Sequence, residues 1–160
     1  MTIKVGDKVP SGTMHTMTTE GPSAVSTDDL FKGKKVALFS VPGAFTPTCS
    51  AKHLPSFVKH AADLKAKGVD TIACMAVNDA FVMGAWGKDQ KADGKVMMLA
   101  DGNADYAKAL GLDSDYSGYG MGTRGKRFSM VVDNGVVTHL NIDDEGYGKT
   151  SAETMLEQLG

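Results

Sequence analysis

Two short apolar runs bracket one long helical period in this chain, and that arrangement restricts the fold more than any other feature. Val36-Ala37-Leu38-Phe39-Ser40 and Thr71-Ile72-Ala73-Cys74-Met75-Ala76-Val77 read as buried strands. Between them Leu54, Phe57, Val58, Ala61 and Leu64 recur near helical spacing, with Lys52, Lys59, Lys65 and Lys67 on other faces, until Gly68 stops the pattern. Strand, helix and strand in this order form a crossover that makes the two strands parallel. Pro55 removes one ladder bond and is expected to kink the helix.

The rest of the pattern extends this unit. Asn78 is placed to cap a helix through Phe81, Val82, Ala85 and Trp86. Val96-Met97-Met98-Leu99-Ala100 is a third strand, followed by a short helix from Asp105 to Leu110 that Gly111 ends. From Asp113 to Gly125 no apolar period is visible; the Gly-rich segment reads as a long loop, and loops of that length are usually functional. Phe128–Val132 and Val136–Leu140 flank Asp133-Asn134-Gly135, a strong hairpin signal. Thr150-Ser151-Ala152-Glu153 reads as a capping box before a last helix through Met155, Leu156 and Leu159. The expected class is α/β: a mixed central sheet with helices on both faces and a C-terminal β-hairpin plus helix. At 160 residues, the span 1–160 is expected to be one domain.

Composition narrows the function. Seventeen bases against nineteen acids give a net charge of −2, which leaves no basic footprint for nucleic acid or anionic lipid. No apolar stretch approaches the roughly 20 residues of a membrane span, and the first residues lack a basic-then-apolar leader pattern. A cytoplasmic protein is expected. Two cysteines without a Cys-x-x-Cys argue against both a secreted disulfide scaffold and a dithiol oxidoreductase.

Those two cysteines have different settings. Cys49 ends Pro42-Gly43-Ala44-Phe45-Thr46-Pro47-Thr48-Cys49, between a strand's carboxyl end and a helix start, where open α/β sheets place their sites. With Thr46 as N-cap and Pro47 at N1, Cys49 falls in the first turn, an environment that stabilises a thiolate. This position favours a reactive thiol over one that merely packs. His53 lies on the same helical face, and is read as a surface histidine lending polarity rather than as a dyad base or zinc ligand. Arg124 and Arg127 are the arginines of a lysine-rich chain. If the strand starting near Arg127 runs antiparallel to the strand ending at Ser40, the Arg127 guanidinium sits at the sheet edge that carries Cys49; Arg124 is the weaker candidate.

Pro42-Gly-Ala-Phe-Thr-Pro-Thr-Cys-Ser50 and Arg127-Phe-Ser-Met-Val-Val132 together resemble a peroxiredoxin, more narrowly the atypical type II or peroxiredoxin-5-like branch. Val77-Asn78-Asp79, Phe81-Val82-Met83 with Trp86, and Leu99-Ala100-Asp101-Gly102 are also similar. The resemblance covers nearly the whole chain. It implies a thioredoxin-like fold with extra N-terminal elements and a thiol-dependent peroxidase of antioxidant defence, acting on hydrogen peroxide and alkyl hydroperoxides without a cofactor or metal. It further implies that Cys49 is the peroxidatic cysteine, Thr46 orients the peroxide, Arg127 activates the thiolate and Pro42 shields the pocket. Glutaredoxin with glutathione, or thioredoxin, would be the reductant, and the assembly a homodimer. The branch carries a second cysteine at the place of Cys74. Two readings of Cys74 stand side by side: it resolves the sulfenic acid, or it is a small core residue on a buried strand about 10 Å below the sheet edge, at ~3.3 Å per residue.

Overall fold

A computed structural model describes residues 2–144 and 146–160. Its main sheet is built from β1 (Thr13–Thr18), β2 (Gly21–Ser26), β3 (Lys35–Ser40), β4 (Thr71–Ala76), β5 (Met97–Ala100), β8 (Arg127–Asp133) and β9 (Val136–Asp143). They lie in the order β2-β1-β5-β4-β3-β8-β9. The run β3, β4, β5 is parallel, as the crossover argument requires, while β8 pairs antiparallel with β3 and places Phe128 opposite Ser40. Asn134 (φ 48) and Gly135 (φ 83) form the tight turn between β8 and β9; both need left-handed backbone, which these residue types tolerate.

Strand alternation divides the core. Phe39 and Cys74 face one side, covered by α2 (Leu54–Lys59), α3 (Ala61–Ala66), α4 (Ala80–Asp89) and α6 (Ala152–Leu159). Leu38 and Met75 face the other, under α1 (Thr27–Phe31) and α5 (Asp105–Leu110). Buried Asp101 accepts from the N–H groups of Tyr106 and Ala107, satisfying two donors at the start of α5.

The extra N-terminal elements that the resemblance implies are the hairpin β1–β2 and α1, with β2 at the sheet edge and no clear apolar period in the hairpin to mark it in the sequence. Several expectations need correction. The helix after Cys49 is not one rod kinked at Pro55. A π turn spans Cys49–His53, closed by the Leu54 N–H donating to the Cys49 carbonyl; α2 follows with Pro55 in its first turn, and the break comes at His60. The widened turn leads into Pro55, whose missing N–H costs little at a helix start. Asp79 rather than Asn78 caps α4, accepting from Val82 N–H at 2.8 Å. The 113–125 segment carries its own small hairpin, β6 (Asp113–Asp115) with β7 (Thr123–Gly125). Ser151 caps α6 in place of Thr150, whose hydroxyl instead donates to Asp143.

Candidate active site

The carboxyl end of β3, the start of β8 and the π turn converge on the Cys49 thiol. Cys49 is fully buried, and Arg127 Nη2 donates to its Sγ at 3.2 Å. Arg127 starts β8 at the expected edge, Arg124 lies in the strand Thr123–Gly125 of the small hairpin, and their tasks differ. Arg127 is buried beside the thiol; Arg124 donates from Nε to the Met121 carbonyl at 3.0 Å and from Nη1 to the Pro42 carbonyl at 3.3 Å, tying the small hairpin to the loop before Cys49. A Cβ on Gly43 would come within 3.1 Å of Arg124 Nη1 and of Thr46 Cγ2, a tight contact to which these side chains would have to yield.

Thr46 precedes Pro47 at the helix start, as read from the sequence, but its hydroxyl proton goes to the Gly43 carbonyl at 2.6 Å. That leaves the oxygen lone pairs as acceptors facing a cleft of about 450 Å³ lined by Pro42, Thr46, Pro47, Tyr116, Tyr119, Met121 and Arg127. Arg127 supplies the positive charge of this cleft and the tyrosines, prolines and Met121 its apolar surface, while Asp143 and Asp144 also line it. A buried sulfur held by a guanidinium fork that also lines an open cleft, with a hydroxyl acceptor beside it, suits displacement at a polarised bond between small atoms.

His53 departs most from the sequence reading. It is not on the surface: it is fully buried, with both ring nitrogens occupied. The Thr150 carbonyl can only accept, so Nε2 carries the proton and donates to it at 2.9 Å, while Nδ1 accepts from Arg127 Nη1 at 2.8 Å. Burial, with the neighbouring guanidinium second, lowers its pKa to about 3, so it is neutral. A histidine with both nitrogens engaged this way cannot serve Cys49 as a base, which removes the dyad alternative. The Tyr147 ring lies 5.2 Å from His53 and 5.8 Å from Arg127 Cζ. Neither Tyr147 nor the role of His53 is in the sequence reading; the usable signal was that Cys49 and His53 share the face that also carries Phe57.

Cys74 is a fully buried free thiol in the same core layer as Cys49. Burial pushes its pKa well above the usual thiol range, and Cys49 adds to the shift, so it is a poor nucleophile where it stands. Asn78, freed from capping, accepts from the Ala44 N–H at 2.9 Å and fastens the catalytic loop to the start of α4. Among the described residues no three His, Cys, Asp or Glu side chains are grouped to hold a metal ion.

Comparison with known proteins agrees with this geometry. The chain matches the Redoxin family over residues 4–156. It is 46% identical over 162 residues to Peroxiredoxin-2E, chloroplastic, of Arabidopsis thaliana, covering 98% of this chain and 69% of that protein. Peroxiredoxin-2D of the same plant is 45% identical, with 98% of each chain covered. Reduced Prx3 from Vibrio vulnificus, solved in complex with hydrogen peroxide, superposes with a TM-score of 0.95 at 50% identity over 99% of both chains. The chain therefore belongs to the Redoxin family: it is a peroxiredoxin, a thiol-dependent peroxidase of thioredoxin-like fold.

Proposed function

We propose that Cys49 is the peroxidatic cysteine of this enzyme, with hydrogen peroxide and alkyl hydroperoxides as its substrates and residues 1–160 as one catalytic domain. The observation that carries this reading is the buried Arg127 guanidinium donating to Cys49 Sγ at 3.2 Å beside an open cleft. The thiolate attacks one peroxide oxygen, the O–O bond breaks, and the leaving oxygen takes a proton to become water or an alcohol. Cys49 is left as a sulfenic acid. Arg127 holds the thiolate and the developing oxyanion, Thr46 accepts from the peroxide O–H, and Pro42 roofs the cleft against water. The apolar walls at Tyr116, Tyr119 and Met121 suit the organic part of an alkyl hydroperoxide.

A thiol then condenses with the sulfenic acid, releasing water and forming a disulfide, which a second thiol reduces. Glutathione with glutaredoxin, or thioredoxin, supplies that thiol if Cys74 is only a core residue; Cys74 supplies the first one if the helix start unwinds. The homodimer and a cytoplasmic location belong to the same proposal. Phe45 supports the dimer: it holds left-handed backbone (φ 64) and is 52% exposed, near the α4 start where Phe81 is 65% exposed.

Intact mass after sub-stoichiometric peroxide tests the assignment. Wild type and Cys74→Ser should gain one oxygen or its disulfide product in a first turnover, and Cys49→Ser should consume no peroxide. Peroxidase activity surviving in Cys49→Ser overturns it.

A further inference from the structure

We infer that Asp143 is a positioning residue for the peroxide reaction, acting on Arg127 through the Thr150 carbonyl and His53. Asp143 is the cross-strand partner of Arg127, the place where a carboxylate would ordinarily pair with the guanidinium. Among the described residues no such ion pair forms, and the carboxylate is spent elsewhere. Its Oδ2 accepts from Gly148 N–H at 3.1 Å, Thr150 N–H at 3.1 Å and the Thr150 hydroxyl at 2.8 Å, and its Oδ1 accepts from Lys149 N–H at 3.1 Å.

Two consequences follow for the guanidinium. Folding Gly148–Thr150 around the carboxylate fixes the Thr150 carbonyl, which receives the His53 Nε2 proton at 2.9 Å. His53 is thereby turned so that Nδ1 accepts from Arg127 Nη1 at 2.8 Å, which leaves Nη2 aimed at Cys49 Sγ at 3.2 Å. Secondly, Arg127 is steadied by a neutral imidazole rather than by an anion. Backbone dipoles balance the Asp143 charge, and the guanidinium charge stays available to the thiolate and the leaving oxygen. Asp143 touches no reacting atom; its effect is on where the guanidinium points.

This inference rests on the reading that Arg127 serves Cys49, so the test carries a control for that reading. The rate of reaction with hydrogen peroxide and the rate of Cys49 alkylation by iodoacetamide at neutral pH are measured, in a Cys74→Ser background, for Asp143→Asn, His53→Ala and the double variant. Asp143→Asn should slow both reactions on the order of tenfold to a hundredfold, the effect of a slightly misaimed group. Because Asp143 acts through His53, adding Asp143→Asn to His53→Ala should cost little more. Thr150→Val, which removes one hydrogen bond to the carboxylate, is the milder variant if Asp143→Asn does not fold, and should give a smaller loss of the same kind. Wild-type rates in a folded Asp143→Asn, or losses that multiply in the double variant, overturn the inference and leave Asp143 a loop anchor. Peroxidase activity in Cys49→Ser would instead overturn the reading beneath it.

Discussion

The Thr46 hydroxyl gives its proton to Gly43, so at neutral pH it meets a peroxide as an acceptor with a fixed direction. Thr46→Ser keeps that hydroxyl and should retain most of the peroxide rate, whereas Thr46→Val should lose it on the order of a hundredfold; stopped-flow kinetics separate the two. Equal losses would make the methyl group, not the hydroxyl, the important part. His53 makes a second, thermodynamic prediction. Its folded pKa, lowered by burial to about 3, lies below the unfolded value of 6.5. Between those values the unfolded chain binds a proton that the native protein refuses. Stability therefore falls as pH drops from 6.5 toward 3, by at most about 1.4 kcal/mol per pH unit, and this component is constant above and below the window. Urea unfolding at pH 7 and pH 5 should show that loss in wild type and a smaller one in His53→Gln; equal slopes would mean that His53 charges in the native state.

Among the elements, the helix start is the one that a resolving role for Cys74 requires to come apart. The π turn is closed by Leu54 N–H on the Cys49 carbonyl, and Pro55 has no N–H to make the next rung, so the turn can open without breaking α2. A further tie is the hydrogen bond from the fully buried Trp86 Nε1 to Ser50 Oγ at 3.0 Å. If Cys74 is the resolver, residues 49–54 must unwind to bring the sulfurs together, because a disulfide requires Cα atoms within about 7 Å. Hydrogen exchange at Cys49–Leu54 should then rise when peroxide is added to wild type but not to Cys74→Ser. Emission from Trp86, the chain's one tryptophan, should shift as it loses Ser50. Unchanged protection and emission, with a mass showing sulfenic acid or a mixed disulfide, would make Cys74 a core residue and an external thiol the resolver. The separation of helix from site was only partly legible beforehand: apolar spacing shows that a helix exists, while it carries no sign of the widened turn in which Cys49 and His53 both contact Arg127.

At the scale of the molecule, antiparallel pairing of β8 with β3 brings residues 78 positions apart into hydrogen-bond contact, and parallel β4 carries Cys74 beneath them. The same edge exposes Phe45 in strained backbone, and burying it against a second copy would offset that strain. Sedimentation should show the reduced protein as a dimer at high micromolar concentration and a shift toward monomer in Phe45→Ala. A wild-type protein that stays monomeric would assign the exposed ring to another partner or to none.

The amino-acid order by itself determined what depends on neighbours in the chain: the buried strand runs, the Asn134-Gly135 turn, the Gly111 helix stop, and Cys49 following Thr46-Pro47 at a helix start. Local backbone preference and hydrophobic period are short-range, so a linear reading captures them. Arg127 was also within reach, because one assumption about strand direction put it at the right edge. The tertiary structure alone decided how polar side chains divide their hydrogen bonds. Asn78 holds Ala44 instead of capping α4, Thr150 serves Asp143 instead of α6, and His53 is buried between Thr150 and Arg127 instead of lying in water. Asn78 passes over the helix it precedes for Ala44, 34 positions away; Thr150 turns back to Asp143, seven positions before it; and His53 exchanges water for Thr150 and Arg127, 97 and 74 positions away. Which partner wins depends on what burial leaves unsatisfied, and that is set only when the sheet edge, the helix start and the loop after β9 have come together.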